Sequence, residues 1–206
     1  EYVSLNLTYA PSITRASTAE EALKLVDQKH FDLILSMLSG STEAFSFGRR
    51  VKKRDPDVPV VMLAFDAREV RRLQLDEGTG GYDEIFTWSG DTGLFLAIIK
   101  LFEDRWNVDH DTATASVRTI LLIEDSVRFT SLYLPLVYTE LMKQTQSLMD
   151  EGINVTHRLL RMRARPKILL AKSYEEAESL YGRYQRYMLG VITDVRFPRG
   201  GVNDPM

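Results

Sequence analysis

Cysteine is absent from the 206 residues, which excludes disulfides, thiolate nucleophiles and thiolate metal ligands. Long apolar runs are absent too. The most apolar stretches, such as 33–35 and 120–123, fall far short of the roughly 20 residues a membrane helix needs, so no membrane partner is expected. A basic excess is also missing: 26 Lys and Arg stand against 29 Asp and Glu, for a net charge of -3. Polyanion binders show the opposite balance, so nucleic acid is not expected as a direct partner. Only three histidines occur, His30, His110 and His157, none with a second ligand at zinc spacing. The glycines of 78–81 (GTGG) are followed by no Lys-Ser/Thr, which excludes a phosphate-cradling loop and suits a turn before a strand. No signal peptide is read, and the expected compartment is the cytoplasm. The first residue is Glu1 rather than Met, from which we expect a piece of a longer protein.

What remains is an alternation of short aliphatic runs with amphipathic helices. The runs are FDLILSM at 31–37, VPVVML at 58–63, TILLI at 119–123, KILL at 167–170 and LGVIT at 189–193. Continuous aliphatic runs of this length suit strands buried on both faces of a parallel sheet. Between them, Thr18 caps AEEALKLVDQ, which sets Ala22, Leu25 and Val26 on one face. A second helix is expected over 92–105, with Leu94, Leu96, Ile98, Ile99 and Phe102. The pattern predicts an α/β fold with a doubly wound parallel sheet.

AEEAL at 19–23 has an echo in YEEAE at 174–178, each followed by a helix and an aliphatic strand. Two copies of one unit are therefore expected. The polar stretch NVDHDTATASV at 107–117 reads as the linker between a first domain at 1–106 and a second at 118–206. The second copy holds far more chain between its first two strands than a crossover helix requires. An insertion over 130–165 is expected: a helix at 130–149 with Leu134, Val137, Leu141, Gln144 and Leu148 near one face, a break at Gly152-Ile153-Asn154, and a basic helix HRLLRMRAR at 157–165 that Pro166 ends. Arg158, Arg161, Arg163 and Arg165 read as a solvated face or an anion-binding cluster. The apolar stripe predicts helix–helix contact with a partner or a second copy, and hence a homodimer through the insertion.

The chemistry sits at two strand ends. TILLI runs into Glu124-Asp125 and LGVIT runs into Asp194. In a parallel sheet the loops after neighbouring strand ends line one crevice. Three carboxylates there repel one another unless a cation compensates, and an all-oxygen set favours a hard ion such as Mg2+.

TILLIEDS, KILLAKSYEEAESL and LGVITDVRFPRGG together resemble a response-regulator receiver domain of bacterial two-component systems, from its first strand through its third. The resemblance implies a flavodoxin-like sheet. It implies Mg2+ held by Glu124, Asp125, Asp194 and the backbone carbonyl of Arg196, with Asp194 accepting a phosphoryl group. Pro198 and Gly200-Gly201 fit the loop that follows. It further implies a histidine kinase or phosphotransfer protein as partner and an output module outside this chain. The family's hydroxyl after the fourth strand and lysine after the fifth have no counterpart here, because the second copy is read as truncated after its third strand. The first copy, read as lacking its first strand, resembles the same family with Met37, Ala64 and Trp88 at the acceptor, hydroxyl and lysine positions, and so looks like a pseudo-receiver.

Two other readings stand beside signal reception. RLLRMRARPKILLA and GVITDVRFPR also resemble regulatory segments fused to phosphoenolpyruvate-synthase-like enzymes, and a separate alternative is a non-phosphorylated pseudo-receiver tandem that only docks or dimerises within a larger enzyme. A Mg2+-dependent phosphatase with Asp194 as nucleophile needs a general acid two residues on, where Arg196 stands, so the chain itself is not expected to be an enzyme.

Overall fold

The computed structural model describes residues 11–37, 42–66, 70, 81–150 and 165–200. The expectations for residues 78–80, for the break at 152–154, for His157, Arg158, Arg161 and Arg163, for Gly201 and for the side chain of Leu148 lie outside them.

Compactness divides the chain between Asp91 and Thr92. The first unit contains α1 (Ala19–Gln28), β1 (Ile34–Ser36), α2 (Thr42–Lys52), β2 (Val60–Ala64) and β3 (Glu84–Thr87). Its sheet is parallel in the order β1-β2-β3, with β2 buried along its whole length. The second unit contains α3 (Gly93–Ala115), β4 (Thr119–Ile123), α4 (Val127–Asp150), β5 (Lys167–Ala171), α5 (Tyr174–Tyr184), a 3-10 turn at Gln185–Tyr187 and β6 (Met188–Thr193). Its sheet is also parallel, in the order β5-β4-β6. The architecture is thus α/β, built on two small three-stranded parallel sheets.

The echo between the two copies extends to hydrogen bonds. Thr18 Oγ1 accepts from the Glu21 N–H at 3.2 Å, and Glu21 Oε2 accepts from the Ser17 N–H at 2.7 Å. Ser173 Oγ accepts from the Glu176 N–H at 3.2 Å, and Glu176 Oε2 accepts from the Lys172 N–H at 2.7 Å. Both helices start on the same reciprocal cap, which satisfies orphan backbone donors.

In the second unit α5 packs on β4 and β5, and α3 packs on β5 and α4. Val108, Leu121, Ile123, Leu169, Ala171, Ala177 and Tyr184 form one buried cluster, with Leu180, Met188 and Phe197 against it. Alternation along the strands sends Leu122, Ile168 and Leu170 to the other face, and they are buried as well.

Residues 107–115, expected as linker, are helical, and α3 runs on to Ala115. The polar side chains that suggest a linker are the ones that tie the helix down. Asp109 pairs with Arg183 at 2.6 Å and accepts from the Tyr184 hydroxyl at 2.7 Å, while Asp111 pairs with Lys167 at 2.7 Å. The Thr112 and Thr114 hydroxyls return to the carbonyls of Val108 and His110, so they satisfy themselves inside the helix. The helix stops at Ser116, whose left-handed φ of 52° turns the chain toward β4.

Two further expectations are corrected. Leu134, expected on an exposed stripe, is fully buried with Tyr138, and Met142 is buried below them. Arg165, expected on a solvated basic face, is largely withdrawn from solvent and paired with the buried Asp104. Asp104 lies inside α3 without solvent exposure. Its Oδ1 pairs with Arg165 Nη2 and, at 3.5 Å, with Lys167 Nζ. Its Oδ2 accepts from Arg165 Nη1 at 3.1 Å, from the Tyr138 hydroxyl at 3.0 Å and from the Ile168 N–H at 2.9 Å.

Removing one partner of such a group strands the others without a counter-charge. Asp104→Ala is expected to destabilise the second unit by roughly 3–5 kcal/mol, read as a fall in its urea midpoint. A second expectation concerns alkaline pH. Burial, then the Asp109 carboxylate, pushes the Tyr184 phenol from 10.0 up to about 12. The folded state therefore keeps a proton that the unfolded chain releases. This stabilisation is complete below about pH 10 and is lost as pH rises toward about 12. Tyr184→Phe should flatten the fall in stability across that window, measured by urea unfolding at stepped pH.

Candidate metal and phosphoacceptor site

β4 and β6 are neighbours in register, with Ile123 opposite Thr193, so the residues that follow them emerge side by side. The Asp194 N–H donates to the Ile123 carbonyl at 3.0 Å, and the Glu124 N–H donates to the Ala171 carbonyl at 3.0 Å. The ladder thus fixes the backbone of two acidic residues before any side chain is considered. The chain also crosses β4 between β5 and β6, a reversal of strand order of the kind that marks ligand crevices in open α/β sheets.

The side chains converge. One carboxylate oxygen from each of Glu124, Asp125 and Asp194 lies within 4.8 Å of the other two. Glu124 is buried, Asp125 half-buried and Asp194 exposed. Burial first, and then the charges of Asp194 and Asp125, raise the Glu124 carboxyl above its ordinary value; the Ser126 N–H, which donates to Glu124 Oε1 at 3.0 Å, opposes the rise. A carboxylate under this repulsion gains most from a cation, and the donor set is all oxygen, as a hard divalent ion prefers.

Two neighbouring structures hold the cluster in place. Ser126 starts α4, accepting from the Phe129 N–H at 3.4 Å, and the Thr130 hydroxyl donates to the Glu124 carbonyl at 3.4 Å. The start of α4 and the acidic pair are therefore one hydrogen-bonded unit. After β6, the loop folds back on α5. The Tyr174 N–H donates to the Pro198 carbonyl at 2.9 Å, and Glu175 Oε1 accepts from the Gly200 N–H at 2.8 Å. Gly200 takes a left-handed φ of 61°, and Arg199 lies 4.5 Å above the Tyr174 ring. The Gly200 N–H is the largest influence holding the Glu175 carboxyl below its ordinary value.

Of the site residues expected from sequence, the structure brings Glu124, Asp125 and Asp194 together, and Arg196 follows two residues on in the exposed loop. Ser126, Thr130 and Glu175 were not singled out in the sequence. Ser126 before an amphipathic run is a helix-cap signal that could have found the first.

The first unit places Met37 just after β1, Ala64 at the end of β2 and Trp88 just after β3. The three positions sit at corresponding strand ends, but none carries a carboxylate, a hydroxyl or an amine. A cavity of about 340 Å³ lies between α1 and β1, lined by Leu25, Val26, Leu33, Leu35, Met37 and Phe47 among others, and no lining side chain is charged. No family model, curated protein or solved structure matches the chain.

Proposed function

We propose that the chain is a signal-receiving module of a bacterial two-component or phosphorelay system, with a receiver-type, flavodoxin-like second unit that accepts a phosphoryl group on Asp194. The observation that carries this reading is the convergence of Glu124, Asp125 and Asp194 at the carboxyl ends of two adjacent parallel strands. Glu124, Asp125, Asp194 and the Arg196 carbonyl would hold Mg2+, which supplies charge neutralisation between an anionic nucleophile and an anionic phosphoryl group.

The chain's own residues do the rest. The Val195 N–H donates to Asp194 Oδ1 at 2.6 Å and fixes the carboxylate at the strand end. The exposed position of Asp194 leaves an oxygen open to a phosphorylated histidine of a kinase or phosphotransfer protein. An oxygen–phosphorus bond forms, the nitrogen–phosphorus bond breaks, and the imidazole leaves with its electron pair. The buried Glu124 stays ordered by Ser126 and so shapes the site from beneath. The module works in the cytoplasm and passes its change of state to an output module. Among the described residues no helix is long and apolar enough to cross a membrane.

The whole chain incubated with acetyl phosphate and Mg2+ should gain one phosphoryl group, mapped to Asp194 by mass spectrometry and absent from Asp194→Asn. Label that persists in Asp194→Asn would overturn the assignment, and an unlabelled wild-type chain would overturn it and favour the reading in which both units only dock within a larger enzyme. The first unit is a pseudo-receiver in this scheme. Titration of the whole chain with Mg2+ and beryllofluoride should move amide resonances near Asp194 and leave those of Met37, Ala64 and Trp88 in place. A saturable response centred on Met37 would refute that part.

A further inference from the structure

The buried face of α4 carries Thr130, Leu134, Tyr138 and Met142. The opposite face carries Phe129, Leu132, Tyr133 and Leu136, between 38% and 61% exposed. This is the i, i+3, i+4, i+7 spacing of a packing stripe, turned away from the unit's own core. Phe129 and Tyr133 stack with ring centroids 5.8 Å apart and an interplanar angle of 11°, and Arg128 lies 5.9 Å from the centroid of the Phe129 ring. The aromatic part of the stripe is thereby ordered before anything covers it. Beyond Leu136 the same face turns polar, with Glu140 and Lys143 exposed.

We infer that this stripe pairs with the stripe of a second copy of the chain, the two α4 helices crossing antiparallel about a two-fold axis at the level of Leu134. The argument is charge and shape complementarity of the stripe with itself. In a two-fold contact residue i meets residue j and j meets i. Leu132 and Leu136 lie equally far on either side of that level, as do Arg128 and Glu140. An antiparallel pair therefore sets Leu132 against Leu136 of the second copy, twice, at the centre. It sets Arg128 against Glu140 of the second copy, twice, at the ends. A parallel pair would set Arg128 beside Arg128 and Glu140 beside Glu140, which like charges oppose. The apolar centre contributes association and the charged ends choose the direction.

The contact uses residues other than the stripe expected from sequence, and it does not depend on the phosphoacceptor reading. Sedimentation of the whole chain and phosphate uptake at Asp194 report on the two separately.

The test is a charge swap. Arg128→Glu alone places Glu against Glu at both ends and should weaken dimerisation about tenfold; Glu140→Arg alone should do the same with Arg against Arg. The double variant restores opposite charges and should return to within about twofold of the wild-type dissociation constant. Leu132→Glu with Leu136→Glu should give a monomer while circular dichroism stays unchanged, since both side chains lie outside the core. A wild-type chain that is monomeric at high micromolar concentration overturns the inference. So does a dimer indifferent to the leucine changes, or one that each charge variant weakens without rescue in the double variant. Either of the first two results would leave the stripe to another segment or a different protein, and the last would place Arg128 and Glu140 away from each other in the dimer.

Discussion

One buried carboxylate, Asp104, fixes how α3, α4 and β5 of the second unit meet. Asp104 brings a negative charge into a region without solvent, where an unpaired ion is intolerable. It is tolerated because Arg165 engages both oxygens, Tyr138 and the Ile168 N–H complete the shell, and Lys167 stands at 3.5 Å. Those partners come from three places: Tyr138 from α4, Arg165 from the approach to β5, and Ile168 from β5 itself. Each has one arrangement that satisfies the same two oxygens. The network thus sets the position of α3 against α4 and β5 more narrowly than apolar packing alone does, since apolar surfaces attract without direction. The consequence reaches the candidate site, because β5 pairs with β4 and β4 delivers Glu124 and Asp125.

The acidic cluster shows the opposite use of charge. Among the described residues, Glu124, Asp125 and Asp194 have no guanidinium or ammonium at hydrogen-bond distance, and Glu124 and Asp194 receive backbone N–H groups instead, from Ser126 and from Val195. Glu124 and Asp125 also precede α4, whose N-terminus carries a partial positive charge that favours anions. These donors reduce the repulsion without cancelling it, as the raised Glu124 carboxyl records. One unit therefore contains a fully compensated carboxylate that orders the fold and a partly compensated group that invites a cation.

TILLI and KILLA were legible because the parallel sheet buries both their faces, whereas LGVIT has the same aliphatic look although β6 lies largely exposed at the sheet edge. The acidic pair and Asp194 were legible because each follows such a run directly. The first capped helix start was legible from Thr18, and the cap at Ser173 came from the structure. The end of α3 was not: NVDHDTATA is poor in apolar residues, and what keeps it helical is a set of pairings with Lys167, Arg183 and Tyr184, far along the chain. No local pattern records the position of those partners. The facing of α4 was misread for a related reason. Phe129, Leu132, Leu134, Leu136, Val137, Tyr138 and Met142 supply apolar residues nearly all round the helix, so periodicity could not choose which side is buried. The choice is made by Asp104, which draws Tyr138 inward and takes Leu134, one turn earlier, with it.

That choice links the two faces of α4 to the acidic cluster. With Tyr138 fixed, Leu134 and Thr130 follow at i−4 spacing, and Thr130 is the residue whose hydroxyl reaches the Glu124 carbonyl. Phe129, Leu132, Tyr133 and Leu136 are then turned outward by the same rotation. The helix is a rigid element hydrogen-bonded to the acidic loop at its first turn and fastened to a buried carboxylate two turns later. The Ser126 cap joins the acidic residues to the first turn of α4, where Phe129 begins the outward stripe. The charged site and the exposed apolar surface are therefore closest along the chain at the helix start.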